Sequence, residues 1–415
     1  MTAQITTRCC IVGSGPAGAM LGLLLARAGI PVVLLEAHDD FDREFRGDTL
    51  YPSAMEILDD LGLAERVLAL PHEKVPQFTV STERGVVPVA DFSRLRSPFP
   101  FITMVRQDRF LELVTTEAAR NPNFTLVMGA HVRELVITGG VVRGVRYHDR
   151  EGSHEVRALL TVGTDGRSST TRRLAGLEPV GTSPPMDVLW FRLPHQPGDP
   201  KQTGSRLVGG RVLVVFSRGD YWQIGYLFPK GGYRQLRAGG LDALRASIAQ
   251  AAPDFADRMD TLRSWKDVSL LSMESNRLPR WYRPGLLLIG DAAHVMSPVG
   301  GPGINYAMQD AVTAANLLEA PLRAGRMSLR DLAAVQRRRE LPTRLIQALQ
   351  TVIQHRVLVE ALDATTPFTL PALMRLHTKV PFLRVLPAWL IAYGLRPSRP
   401  RTGPPDASRP EGCCV

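Results

Sequence analysis

The stretch from Cys9 to Ala37, CCIVGSGPAGAMLGLLLARAGIPVVLLEA, constrains the fold more than any other part of the chain. An apolar run ends in Gly13-Ser14-Gly15-Pro16-Ala17-Gly18, a small apolar helical pattern follows, and a second apolar run ends at Glu36. Continuous apolar runs of this kind suit parallel strands buried on both faces. Gly13 permits a tight turn, Gly15 lets a ligand approach the backbone, and Gly18 lets the helix pack on the strand. The start of the helix turns N–H groups and its positive dipole end toward phosphate. Glu36 lies 18 residues beyond Gly18, at a strand end where a carboxylate accepts hydrogen bonds from a ribose diol. An acidic group there disfavours a 2′-phosphate, so the pattern predicts FAD or NAD as the bound dinucleotide rather than NADP.

Two further segments join this unit. GTDGRSSTTRR, with Asp165 and Gly166, follows an apolar strand, and so does GDAAHVMSPVGGPGIN, with Asp291. Either alone reads equally as a structural Asp-Gly turn. Three such motifs in this order predict one nucleotide site, with Asp291 on a ribityl or ribose hydroxyl and the loop Pro298–Asn305 leading into a helix. No second G-x-G-x-x-G occurs.

Between the motifs the pattern changes. FTVSTERGVVPVADF alternates around a turn, and residues 180–285 are strand-rich, clearest in RVLVVFSRGDYWQIGYLFPKGGY. Residues 327–362 have helical spacing, and the chain is Pro/Arg/Ser-rich from about Pro397. The fold class expected is α/β: a Rossmann-type FAD-binding domain with an inserted β-rich substrate domain and C-terminal helices. The boundaries read as 1–75, 106–180 and 285–330 for the first; 76–105 and 181–284 for the second; 331–396 for the helices; and 397–415 for a disordered tail.

The three motifs resemble those of the class A flavoprotein monooxygenases, the aromatic hydroxylases with the p-hydroxybenzoate hydroxylase fold, in their ubiquinone-hydroxylase-like branch. The likeness spans about residues 8–395 and is most specific at GSGPAG, TDGRSSTTR and GDAAHVMSPVGGPGIN. It implies that the first motif, Glu36 and Ala37 hold the ADP part of FAD. It implies FAD contacts at Val132 and at the Asp165-Gly166 turn, which also serves the nicotinamide cofactor. Asp291 would meet the ribityl–pyrophosphate region. Pro298, Gly301, Gly303, Ile304 and Asn305 would lie against the isoalloxazine. Arg46 in FRGD and Gln107 in VRQDRF match positions that contact FAD phosphate or ribityl groups, with Arg106 a competitor for Gln107. One departure is Pro302, where the family usually has Gln; the backbone there is stiffer, and binding through backbone groups survives it.

The activity implied is NAD(P)H-driven hydroxylation or epoxidation of a lipophilic aromatic, quinone or quinolone in secondary metabolism such as antibiotic biosynthesis. The reductant is NADH or NADPH, O2 is the co-substrate, and oxygen passes through a flavin C4a-hydroperoxide. The cofactor carries the hard chemistry while the protein positions substrate and excludes water. Neither a hydrolytic triad nor a metal site is expected, and His294 reads as structural. Deprotonating a phenolic substrate would call for a base. Tyr51 and Tyr226 are the candidates, with His72 and Asp48 behind them, and each reads as readily as packing or surface. Alternation places Trp222, Ile224, Tyr226 and Phe228 on one strand face, either roofing the substrate or packed in a core; Trp190 and Phe191 lie on another strand of the same half. Two other readings stay open. A flavin halogenase would carry a W-x-W-x-I-P segment and a lysine, and YWQIGYLFPKG is not that segment. An FAD-dependent reductase of a prenyl or isoprenoid chain would need no oxygen.

The formal charge of +10, from 50 Lys plus Arg against 40 Asp plus Glu, contains no block of five basic residues, so nucleic acid is not an expected partner. Cys9 and Cys10 fall in a buried strand and Cys413 and Cys414 in the tail, which is no disulfide framework. With no signal core and no long apolar span, the expected location is cytoplasmic. The apolar segment 380–397 either lies on a membrane or closes over a lipophilic substrate.

Overall fold

The computed structural model describes residues 4–42, 49–199, 203–363 and 385–401. Its larger sheet has a parallel centre. Leu286–Leu288, Gly152–Gly163, Gln4–Val12, Val32–Leu35 and Phe124–Val127 pair side by side in one direction. Val141–Asp149 adds antiparallel to the long strand Gly152–Gly163, His131–Thr138 adds antiparallel to Val141–Asp149, and the two fold over one face. The other face carries the helices Pro16–Arg27, Gln107–Ala119 and Gly303–Arg323.

This layering explains the apolar runs of the sequence. Cys9 and Ile11 face the helices, while Cys10 and Val12 face the antiparallel strands. Both cysteines are fully buried and act as small apolar side chains; burial pushes the Cys10 thiol up to about 12.

The second sheet orders Ser269–Leu271, Met186–Pro194, Tyr221–Pro229, Arg211–Ser217, Gly204–Val208, Gln77–Thr82 and Gly85–Asp91. All pairs are antiparallel except Gly204–Val208 beside Gln77–Thr82. Helix Leu241–Ala251 and the 3-10 segment Pro253–Thr261 cover one face. The other face turns inward and meets Ile353, Val357 and Leu358 at the end of the C-terminal helices.

Helix Leu329–Ile353 opens with a capping box between Ser328 and Asp331 and runs into a π-helical turn, Gln354–Leu358. The free tail expected from Pro397 is corrected at its start. Ser398 is buried against Thr313, and Arg399 pairs with Glu56 and Asp60, so residues 397–401 are pinned to the helical layer. Residues 402–415, with Cys413 and Cys414, lie outside the described residues.

Candidate functional site

The glycine loop and Glu36 form one unit. Gly15 caps the first helix with an extended backbone, and Pro16 takes the first helical position, where its missing N–H costs nothing. Gly13 has φ +99°, a left-handed value that favours glycine. A Cβ on Gly18 would stand 2.0 Å from Gly13 O, so helix and strand approach as closely as backbone allows. Thr164 Oγ1 donates to Val12 O at 2.9 Å and Gly13 O at 2.6 Å, tying the ends of two parallel strands. The buried Glu36 accepts the Ser14 N–H at 2.8 Å and the His38 N–H at 3.1 Å.

A cavity of about 1100 Å³ begins here. Gly13, Gly15, Pro16, Ala17, Glu36 and Ala37 line it, with Val132 and Gln107 beyond. Ser14 and Gly18 sit behind this wall. Gln107 opens helix Gln107–Ala119, whereas its competitor Arg106 pairs with Asp108 outside the lining. Arg46 and Asp48 fall outside the described residues.

The other two motifs converge on the same space. Asp165 and Gly166 line it, but the Asp165 carboxylate accepts the Ser169 hydroxyl and the Thr171 N–H at 2.8 Å. It therefore holds the short helix Thr170–Leu174 as well as facing the cavity. Asp291 lines the cavity from the turn Gly290–Ala292, and so do Pro298, Gly301, Gly303 and Ile304. Pro302 caps helix Gly303–Arg323 at φ −76° and ψ −18°, a position that suits proline, so the departure from Gln is accommodated. Asn305 is off the lining. Its amide accepts the Tyr51 N–H at 2.8 Å and donates to Thr49 O at 2.9 Å. It clamps the loop from behind.

His294 is structural. Its Nε2 meets Asp310 at 2.6 Å, and Arg339 Nε donates to Asp310 from the other side at 2.7 Å, all three side chains buried. Asp310 also accepts the Gly290 N–H, so this hub fixes the Asp291 turn. No metal-binding group occurs among the described residues.

Neither candidate base faces the cavity. The Tyr51 hydroxyl donates to Gly300 O, and burial pushes its pKa far above the usual phenol range. Tyr226 bonds Ser247 at 2.9 Å on the outer face of the second sheet. His72 bonds Leu70 O and is likewise off the lining.

Of the two readings of the Trp222–Phe228 strand face, roof or core, the structure shows the core. Trp222, Ile224 and Phe228 pack with Phe191 under Leu241–Ala251, because that helix supplies the apolar cover. The opposite face lines the cavity through Val188, Trp190, Val212, Phe216 and Leu227. Trp190 stacks on Phe216 with centroids 6.3 Å apart. Gly225 makes room for it, since a Cβ there would touch the indole at 3.0 Å. Arg218 and Gln223, bonded to each other at 3.1 Å, supply polarity on this wall. Sequence reasoning missed Phe216, Arg218 and Val357. The one signal was alternation in RVLVVFS, and both of its faces are apolar.

The residues fit FAD. The nearest atom to a Cβ on Gly15 would be Thr164 O at 4.0 Å, so that Cβ would fill the open cradle a phosphate needs. The volume exceeds the ~300–1000 Å³ of an ordinary ligand pocket, leaving space for a second, apolar molecule.

Comparison with known proteins agrees. A family model described as FAD binding domain matches residues 6–348. The chain is 38% identical to 6-methylpretetramide 4-monooxygenase of Streptomyces rimosus over 356 residues, covering 85% of this chain and 84% of that protein. It is 29% identical to the 12-dehydrotetracycline 5-monooxygenase/anhydrotetracycline 6-monooxygenase of S. rimosus subsp. rimosus, over 73% of this chain and 60% of that one. The crystal structure of OxyS anhydrotetracycline hydroxylase from S. rimosus superposes with a TM-score of 0.73 at 26% identity, covering 94% of this chain and 76% of that one. This chain belongs to the FAD binding domain family of flavin monooxygenases.

Proposed function

We propose that this protein is an FAD-dependent, NAD(P)H-driven monooxygenase that hydroxylates a large fused-ring aromatic of polyketide type in antibiotic biosynthesis. The observation that carries the reading is the single cavity joining Glu36 to Trp190 and Phe216. One end is built for a dinucleotide and the other for flat apolar rings. The relatives acting on tetracycline-type substrates support the same class.

When bound, FAD accepts hydride from NAD(P)H and activates O2 for transfer of one oxygen atom to the ring. The chain's own residues bind and orient. Glu36 would accept from the adenosine ribose, the Gly15–Ala17 backbone would hold the pyrophosphate, and Asp291 would hold the ribityl side. Trp190, Phe216 and Leu227 hold the substrate by apolar contact and exclude water. Among the described residues no lysine lines the cavity, which counts against a halogenase. Pro387 and Ile391 of helix Val385–Tyr393 line the cavity, while Leu386 and Trp389 point outward. Closure over the substrate is therefore the reading of 385–397 favoured over membrane contact; residues 380–384 lie outside the described residues. No helix among the described residues is long and apolar enough to cross a membrane.

The test is flavin reduction and oxygen uptake with NADH or NADPH across a panel of fused-ring phenols, quinones and quinolones. Fast flavin bleaching only with certain compounds, with one oxygen atom entering the product, supports the reading. Reduction of a substrate double bond without oxygen incorporation overturns it in favour of a reductase.

A further inference from the structure

Helix Leu329–Ile353 docks on the protein through a polar face. Gln336, Arg339, Thr343, Gln347 and Gln350 recur at three- and four-residue spacing, Gln354 continues the row, and all are at most 8% exposed. A buried amide is costly unless its donors are met. Here the amide donors of Gln336, Gln347 and Gln350 reach the backbone of residues 276–299. Gln336 Nε2 donates to Pro279 O, and its Oε1 accepts the Trp281 N–H. Gln347 donates to Asn276 O and Val295 O, each at 2.9 Å. Gln350 donates to Ser297 O and Val299 O, each at 2.7 Å, and Gln354 donates to Ser297 Oγ at 2.5 Å.

The last two glutamines act where the strand ladder has ended. Pairing with Ser275–Arg277 stops at Val295. Beyond it the chain forms the loop in which Met296, Ser297, Pro298 and Val299 line the cavity. One amide thus spans two carbonyls two residues apart and sets the course of a loop that lines the cavity.

We propose that Gln350, seconded by Gln354, is a positioning residue for FAD. It touches no cofactor itself and acts through the carbonyls of Ser297 and Val299. The proposal rests on FAD as the ligand of this cavity. It does not depend on the substrate or on the reaction type.

The test titrates apoprotein with FAD, following flavin fluorescence and the visible spectrum, in Gln350→Leu and in Gln336→Leu. The Gln336 variant removes bonds of the same kind from the same stripe, away from the loop. Gln350→Leu leaves the buried Ser297 carbonyl and the part-buried Val299 carbonyl without that donor, and FAD affinity should fall roughly tenfold with an altered visible band. Gln336→Leu should lower the Tm while keeping wild-type affinity and spectrum. Wild-type FAD affinity and spectrum in Gln350→Leu overturns the proposal, and so does equal weakening in both variants. If Gln350→Leu does not fold, Gln354→Leu, which loses the Ser297 Oγ bond, gives the same reading: a shifted spectrum supports the proposal and an unchanged one overturns it.

Discussion

The Glu36 carboxylate accepts the backbone N–H of Ser14 at 2.8 Å, joining the end of one strand to the middle of the glycine loop across 22 residues. The residue proposed to select the ribose therefore also shapes the glycine loop proposed to face the phosphates. Substituting it has two consequences that separate experimentally. Glu36→Arg replaces the acceptor with a cation, and the purified protein should carry no FAD. Glu36→Gln keeps an acceptor for Ser14 but turns an NH2 donor toward the His38 N–H, so it should lose about 1 kcal/mol of stability and keep its fold while FAD binds more weakly. Normal FAD content in Glu36→Arg refutes the assignment.

Gly18→Ala should be among the most damaging small substitutions. The added Cβ meets Gly13 O at 2.0 Å and Thr164 Oγ1 at 2.7 Å, and the first of these is backbone that cannot rotate away. A destabilisation of about 3 kcal/mol is expected, read as a fall in Tm with loss of FAD. A wild-type Tm contradicts the close packing described.

Breaking the Asp310 hub should cost more. Arg339→Met leaves the fully buried Asp310 carboxylate with only His294 and the Gly290 N–H, and removing one partner of a buried ion pair costs about 3–5 kcal/mol. Burial works to raise the Asp310 pKa, but the His294 and Arg339 partners outweigh it and hold the carboxyl below its usual range. A depressed folded-state pKa contributes stability that is complete above the ordinary carboxylate pKa of about 3.9 and is lost as pH falls through the folded value. Denaturant unfolding of the wild type should therefore weaken below about pH 4, with a flatter acid limb in Asp310→Asn. Identical acid limbs would show that Asp310 is not the group responsible.

The two faces of the second sheet should respond oppositely. Trp190→Ala removes a cavity wall and should raise KM for an aromatic substrate about tenfold. Tyr226→Phe removes only the bond to Ser247 on the outer face, costing about 1 kcal/mol of stability and leaving KM unchanged. A higher KM in Tyr226→Phe with none in Trp190→Ala would place the substrate on the wrong side.

The sequence by itself determined the strand–loop–helix–strand unit and narrowed the dinucleotide to FAD or NAD, and the likeness of its three motifs pointed to FAD and the family. Those signals are local: glycines at fixed spacing in Gly13–Gly18, apolar runs of strand length, and Glu36 at the end of the second run. Only the tertiary structure decided which side of each strand matters. Alternation separates Trp222 and Ile224 from Gln223, yet says nothing about which set meets a helix and which a ligand. That depends on helix Leu241–Ala251, which covers one face and leaves Trp190 and Phe216 to the cavity. Tyr51 was unreadable for the same reason, because its hydroxyl partner, Gly300, lies 249 residues away. The inward face of helix Leu329–Ile353 inverts the usual rule. Beyond Leu332 and Val335 its buried stripe is mostly glutamine and arginine, made tenable by the backbone carbonyls and the buried Asp310 that it meets, and those partners exist only once the loop at residues 295–299 and helix Gly303–Arg323 have folded against it.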